Sequence, residues 1–254
     1  MKKWLPCTNC KAEPKVPNKE GWYFREDGKT VYECPCHIEW RKEGLRLAQA
    51  KRNGVEIPKD FDPNKVYATS PDLPNVRKLL RYVDRFATYN PTLLEESASV
   101  YIYSKEPIGH ADLLRWMAER LSRQGWSVGV TSMRTLIEGL TPTHLFEDSD
   151  LEKVQAYHQR MVKMDFLFIT EAFLPTEQNF RIPYLERFLM DRLERSHRPT
   201  IFLSNTQILS LASKMLYTPT LQEIVFREIR KSGGELVFSS GREVKLGSIF
   251  GDDE

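Results

Sequence analysis

From residue 99 onward the chain alternates short, continuous apolar runs with amphipathic stretches. The apolar runs fall at residues 99–103, 127–131, 166–169, 200–203 and 236–238. Apolar positions at helical spacing cover residues 111–124, 151–164, 182–195 and 221–231. A strand with no polar alternation is buried on both faces, and strands that alternate with helices pair in parallel. This pattern predicts a three-layer α/β domain with a central parallel sheet. Upstream, Val76, Leu79, Leu80, Val83 and Phe86 share one face of a further helix. Asn75 is its expected cap, and Asn90-Pro91 its expected stop. Residues 38–53 also read as helical, with Gly54 as C-cap. Residues 56–75 contain four prolines and several turn formers, and read as a linker. The expected organisation is a small domain at 1–55, a linker at 56–75 and the α/β domain at 76–254.

Composition narrows the functional classes. The 254 residues carry 37 Lys plus Arg and 35 Asp plus Glu, a formal net charge of +2. A polycationic coat is excluded, so any nucleic-acid contact is a local patch. Residues 1–60 hold 13 basic and 9 acidic side chains, a mild excess. Arg115, Arg120, Arg123 and Arg134 are candidates to border a DNA path, and mixed solvated helix faces explain them equally well. Residues 141–150 have few periodic apolar positions. There is no run of 18 apolar residues, and no apolar core follows the two N-terminal lysines. A cytoplasmic location and no membrane contact are the expectation.

All four cysteines, Cys7, Cys10, Cys34 and Cys36, lie in the first 36 residues. The pattern is C-x2-C, then 23 residues, then C-x-C-H. Two close thiolate pairs brought together by a loop suit one tetrahedral Zn2+. The intervening segment predicts a β-hairpin: Trp22, Tyr23 and Phe24, a turn at Asp27-Gly28, then Thr30, Val31 and Tyr32. His37 is a rival for the fourth ligand place. Four protein ligands leave no open position, so this zinc is structural rather than catalytic. The aromatic trio could stack on bases, or one face of it could pack beside the metal.

The first strand of the α/β domain runs into S-K-E-P-I-G-H-A. A phosphate-binding loop at this strand–loop–helix position reads G-x-x-x-x-G-K-[ST]. On that spacing Ser104 takes the first Gly position and Gly109 keeps the second. His110 stands in place of the lysine, and Ala111 in place of the hydroxyl that binds Mg2+. The third strand ends Phe166-Leu167-Phe168-Ile169-Thr170-Glu171, so Thr170 replaces the metal-holding Asp while Glu171 keeps the water-activating position. The fourth strand ends in Asn205, where a sensor residue would sit. Each lost charge-assisted contact is worth about 1.5–3 kcal/mol. Losing three weakens Mg-ATP by several orders of magnitude, so ATP and Mg2+ are doubtful cofactors. Glu171 and Asn205 are relic positions, and no catalytic residue is assigned.

In this order the motifs resemble the DnaC/DnaI-type helicase loaders and the related IstB-like AAA+ ATPases, including phage and mobile-element members. The strings that carry the resemblance are C-x2-C…C-x-C ahead of a basic helix, IPKDF, QGWSVGVTSMRTLIEGL, HRPTIFLSN, and IRKSGGELVF followed by GREVK. The resemblance implies an AAA+-like P-loop domain behind a zinc-ribbon-like module that grips a hexameric DnaB-type helicase. It also implies self-association on the helicase ring, contact with single-stranded DNA, and a trans-acting arginine near Arg227 and Arg230. With its degenerate motifs, the chain is expected to load a helicase without hydrolysing ATP. An inhibitor of the helicase and an IstB-like regulator of transposition or replication are the alternatives, as is a zinc-ribbon nucleic-acid module with an inert partner domain.

Overall fold

The computed structural model describes residues 22–24, 31–33, 35–55, 61–95, 98–105, 110–142, 148–173, 181–207, 219–231 and 235–238. The chain divides into two compact units, Met1–Gln49 and Ala50–Glu254. In the first, β1 (Trp22–Phe24) and β2 (Val31–Glu33) form an antiparallel pair with Tyr23 opposite Tyr32, the register the hairpin pattern predicts. Helix α1 (Pro35–Arg52) follows. Cys36 and His37 fall in its first turn. Cys7, Cys10 and Cys34 lie outside the described residues, and so does the zinc site as a whole.

Helix α1 ends as Gly54 predicts. Gly54 adopts φ +82°, and Val55 N donates to Ala50 O at 3.0 Å, closing the helix with a left-handed cap. A Cβ on Gly54 would lie 2.3 Å from Val130 O, so the position needs glycine for space as well as for φ.

The second unit is built on five parallel strands: β3 (Val100–Ser104), β4 (Val128–Ser132), β5 (Phe166–Thr170), β6 (Thr200–Ser204) and β7 (Glu235–Phe238). Their order across the sheet is β4-β5-β6-β3-β7. Both faces are covered, which is why the strands read as continuous apolar runs. On β5, Phe166 and Phe168 enter one core while Leu167 and Ile169 enter the other; on β6, Ile201 and Leu203 oppose Phe202 in the same way. One core lies under α3 (Leu73–Asp84) and α5 (Ala111–Arg123), with the short α4 (Thr92–Glu95) between them in the sequence. The other lies under α6 (Met133–Leu140), α7 (Asp148–Lys163), α8 (Ile182–Leu189) with its π-helical extension Met190–Arg195, and α9 (Pro219–Lys231). Each large apolar side chain sealed here contributes about 1.5–3 kcal/mol relative to exposure.

Four sequence expectations change. Residues 61–75, the described part of the stretch expected to be a linker, pack within the second unit. They form α2 (Pro63–Val66) and bury Tyr67 in the core of α3 and α5, with Phe61 and Leu73 packed beside it. Pro63 and Pro74 stand in the first turns of α2 and α3, and Asp62 accepts from Asn64 N at 3.0 Å. Helix α3 spans Leu73–Asp84, so Asn75 is inside it and its end falls well before the expected stop at Asn90-Pro91. The Asn75 amide donates instead to Val237 O on β7 at 2.6 Å. Helix α6 was not among the expected elements. Ser132 begins it at the very end of β4, accepting from Thr135 N at 3.1 Å, with no loop to mark the change of period.

Candidate nucleotide site at the strand ends

In an open parallel sheet the ligand crevice lies beyond the carboxyl ends of the strands, where successive connections diverge. Here the chain leaving β3 crosses to the β4 edge, while the chain leaving β6 crosses to the β7 edge. The neighbours β3 and β6 pair with Tyr103 opposite Ser204. The sequence-predicted positions Ser104, His110, Ala111, Thr170, Glu171 and Asn205 all fall at these strand ends or at the start of α5. Gly109 lies outside the described residues. These positions therefore lie on the carboxyl-end side of the same parallel sheet.

His110, in the lysine position, is a core residue. It is 4% exposed and sits immediately before α5 without capping it through its side chain. The Tyr67 hydroxyl and His110 Nδ1 are 2.8 Å apart, and the two rings stack at 5.9 Å. Phe238 closes the other side at 4.6 Å. Burial holds the imidazole pKa below its ordinary value, with only partial opposition from Asp72. His110 is thus neutral at pH 7 and enclosed by aromatic rings, where an active loop needs a mobile ammonium.

The other positions agree with this. Thr170 Oγ1 lies 3.5 Å from Thr131 O at the end of the neighbouring strand, and supplies no carboxylate for a metal. Glu171 is exposed and adopts φ 51°, and Phe173, also left-handed at φ 58°, is fully buried. Two non-glycine residues in this region cost about 1–3 kcal/mol each. The turn is held by Ala172 N donating to Leu203 O at 2.9 Å and by Ser204 Oγ donating to Ala172 O. Asn205 is exposed, while the adjoining Thr206 carbonyl accepts from the Tyr101 hydroxyl at 2.7 Å. Two buried atoms here, Ser104 Oγ and His110 Nε2, have no hydrogen-bond partner among the described residues. They could receive a small polar group, but both are neutral.

The described motif positions lack the charged groups by which an active loop holds Mg-ATP: His110 supplies no ammonium in place of the lysine, Thr170 supplies no carboxylate for the metal, and the His110 ring is packed against Tyr67 and Phe238. Tyr67 is the residue that sequence reasoning missed, because a single aromatic in a proline-rich stretch carries no periodic signal. The arginines near α9 are engaged within the chain: Arg227 pairs with Glu194, and Arg230 lies over the Phe226 ring at 4.2 Å. A pocket of about 240 Å³ between α6 and α7, lined by Glu138, Asp150, Lys153 and Tyr157 among others, lies apart from these positions. No described helix is long and apolar enough to cross a membrane.

No protein-family model matches the chain, and no curated protein matches it significantly. Solved structures do. Domain III of the Thermotoga maritima replication initiation protein DnaA matches 73% of this chain and 69% of its own, at 13% identity and a TM-score of 0.52. A primosome component from Streptococcus pyogenes serotype M3 matches 74% of this chain and 93% of its own, at 17% identity and a TM-score of 0.49. DnaI matches 74% of this chain and 86% of its own, at 16% identity and a TM-score of 0.47. The likeness is one of fold: the second unit is an α/β, P-loop AAA+-like domain of the kind seen in domain III of DnaA.

Proposed function

We propose that this chain is a helicase-loading protein of DNA replication whose AAA+-like body works without hydrolysing ATP. In this reading the first unit holds a zinc ion through Cys7, Cys10, Cys34 and Cys36 and grips a hexameric DnaB-type helicase. The second unit self-associates on the ring and helps place it on single-stranded DNA. The observation that carries the nucleotide-independent part is the buried, neutral His110 between Tyr67 and Phe238 at the lysine position. The helicase part is supported by the order of sequence strings shared with loaders, from the cysteine pairs to GREVK, on a fold like that of a replication initiator domain.

Loading needs no hydrolysis if the open helicase ring is bound more tightly than the closed one. A ligand shifts such an equilibrium by its difference in affinity for the two states. The test is size exclusion with light scattering of the full chain and a hexameric DnaB-type helicase, without nucleotide. A stable complex, lost on removing residues 1–49, is the expected result. Absence of a complex with and without ATP removes the helicase reading in favour of a nucleic-acid regulator.

A further inference from the structure

An open sheet has two outer strands, and each presents main-chain N–H and C=O groups that no ladder neighbour takes up. Here the outer strands of the described sheet are β4 and β7. A free edge of this kind can add an extended strand from another chain. The two edges are covered in different ways.

On β4 the cover is main chain. Val130 N donates to Asn53 O at 2.9 Å, and the left-handed turn at Gly54 lies against Val130 O. On β7 the cover is one side chain. Asn75, in the first turn of α3, donates its amide to Val237 O at 2.6 Å across 162 residues of sequence. The N–H and C=O of one strand residue point to the same side, so Val237 N–H also faces outward. Leu236 and Phe238 face the core under α3 and α5, so the Val237 side chain points away from that core, and it is 50% exposed. Among the described residues β7 pairs only with β3. An outward main-chain donor and acceptor beside an exposed β-branched side chain suit a further strand.

We infer that Asn75 is a guard: by taking the Val237 carbonyl it keeps the outer edge of β7 from pairing with β7 of a second copy of this chain. A second copy brings the same strand with the same edge. Two such strands meet antiparallel about a two-fold axis, so one surface serves as both partners. The β4 edge is held by the backbone of the α1 cap, whereas the β7 edge depends on a single amide, which makes β7 the edge that one substitution opens. The inference does not rest on the helicase reading. Copies that assemble on a ring would meet through other surfaces, and the test contains no helicase.

The test is sedimentation velocity of the full chain over a concentration series, for wild type and for Asn75→Ala. The variant should keep its fold, because alanine forms helix better than asparagine and water can reach the freed carbonyl on an edge strand. Its weight-average mass should rise with concentration toward about twice the wild-type value. Adding Val237→Lys to Asn75→Ala should return the mass to that of wild type, because a lysine on an edge strand opposes pairing. Adding Val237→Pro instead, which removes only an outward-facing N–H, should do the same. Val237→Lys alone should sediment as wild type. If Asn75→Ala keeps the wild-type mass at every concentration, the guard is not needed and the inference falls. It falls equally if the association of Asn75→Ala persists in the Val237→Lys background, because the contact is then not the β7 edge.

Discussion

Arg192 provides the sharpest test of how the second unit is held together. It is 0% exposed and lies on the π-helical turn after α8. Among the described residues no carboxylate bonds its guanidinium directly. Nε donates to Thr200 Oγ1 at 2.8 Å, and Nη2 to Pro199 O at 2.8 Å. Nη1 donates to Met161 O at 2.8 Å, Val162 O at 3.1 Å and Met164 O at 2.8 Å. The last carbonyls of a helix have no partner within it, and they carry the negative end of its dipole. Arg192 caps α7 with charge and donors together, and ties that end to the start of β6. Burial pushes its pKa down to about 9, still above neutrality, so the side chain is charged at pH 7.

Arg192→Met keeps the volume and removes every donor. Each buried acceptor left unmatched costs about 1–3 kcal/mol, and not all five are lost after relaxation, so the net is about 3–5 kcal/mol. For a unit of this size that lowers the melting temperature by roughly 10 °C. Arg192→Lys keeps the charge without the planar fork and should fall between. Arg195→Met, at an exposed pair with Asp191, should change stability by less than about 1 kcal/mol. Differential scanning calorimetry reads all three. If Arg192→Met melts within about 2 °C of wild type, those carbonyls do not need the guanidinium and the reasoning fails.

Three further outcomes follow from the same structure. His110 has a folded pKa below its unfolded value, so the unfolded chain takes up a proton first as pH falls through about 6.5; stability should drop on acidification, and His110→Gln should remove up to one proton's worth of that slope in pH-dependent melts. Gly54→Ala places a Cβ 2.3 Å from Val130 O at a left-handed φ, and should cost about 1–3 kcal/mol by denaturant titration, well beyond the loss at an ordinary exposed glycine. Purified protein should release one zinc per chain to a colorimetric chelator, with Cys34→Ser abolishing that zinc while the melt of the second unit stays unchanged.

The sheet was legible in the sequence because burial on both faces writes each strand as an unbroken apolar run. Phe166, Phe168, Ile201 and Leu203 on one side, and Leu167, Ile169 and Phe202 on the other, need no alternation to be recognised. The strand-end positions were legible for a related reason: a strand followed by a fixed spacing places a residue whatever its chemistry has become. What those residues do was less visible. The loss of the lysine could be read, but its replacement by an aromatic box could not, because Tyr67 and Phe238 approach His110 from 43 residues upstream and 128 downstream. Helix α6 escaped because it begins where β4 stops. Arg192 escaped because a basic residue in an amphipathic stretch reads as solvent-facing, and only the three-dimensional end of α7 makes it a cap.

Isothermal titration of the full chain with Mg-ATP decides whether the second unit takes up nucleotide. With a neutral His110 packed against Tyr67 and Phe238 at the lysine position, no saturable binding in the submillimolar range and no phosphate release above background are expected. Submillimolar binding, or an ATPase activity that Glu171→Gln abolishes, would contradict this.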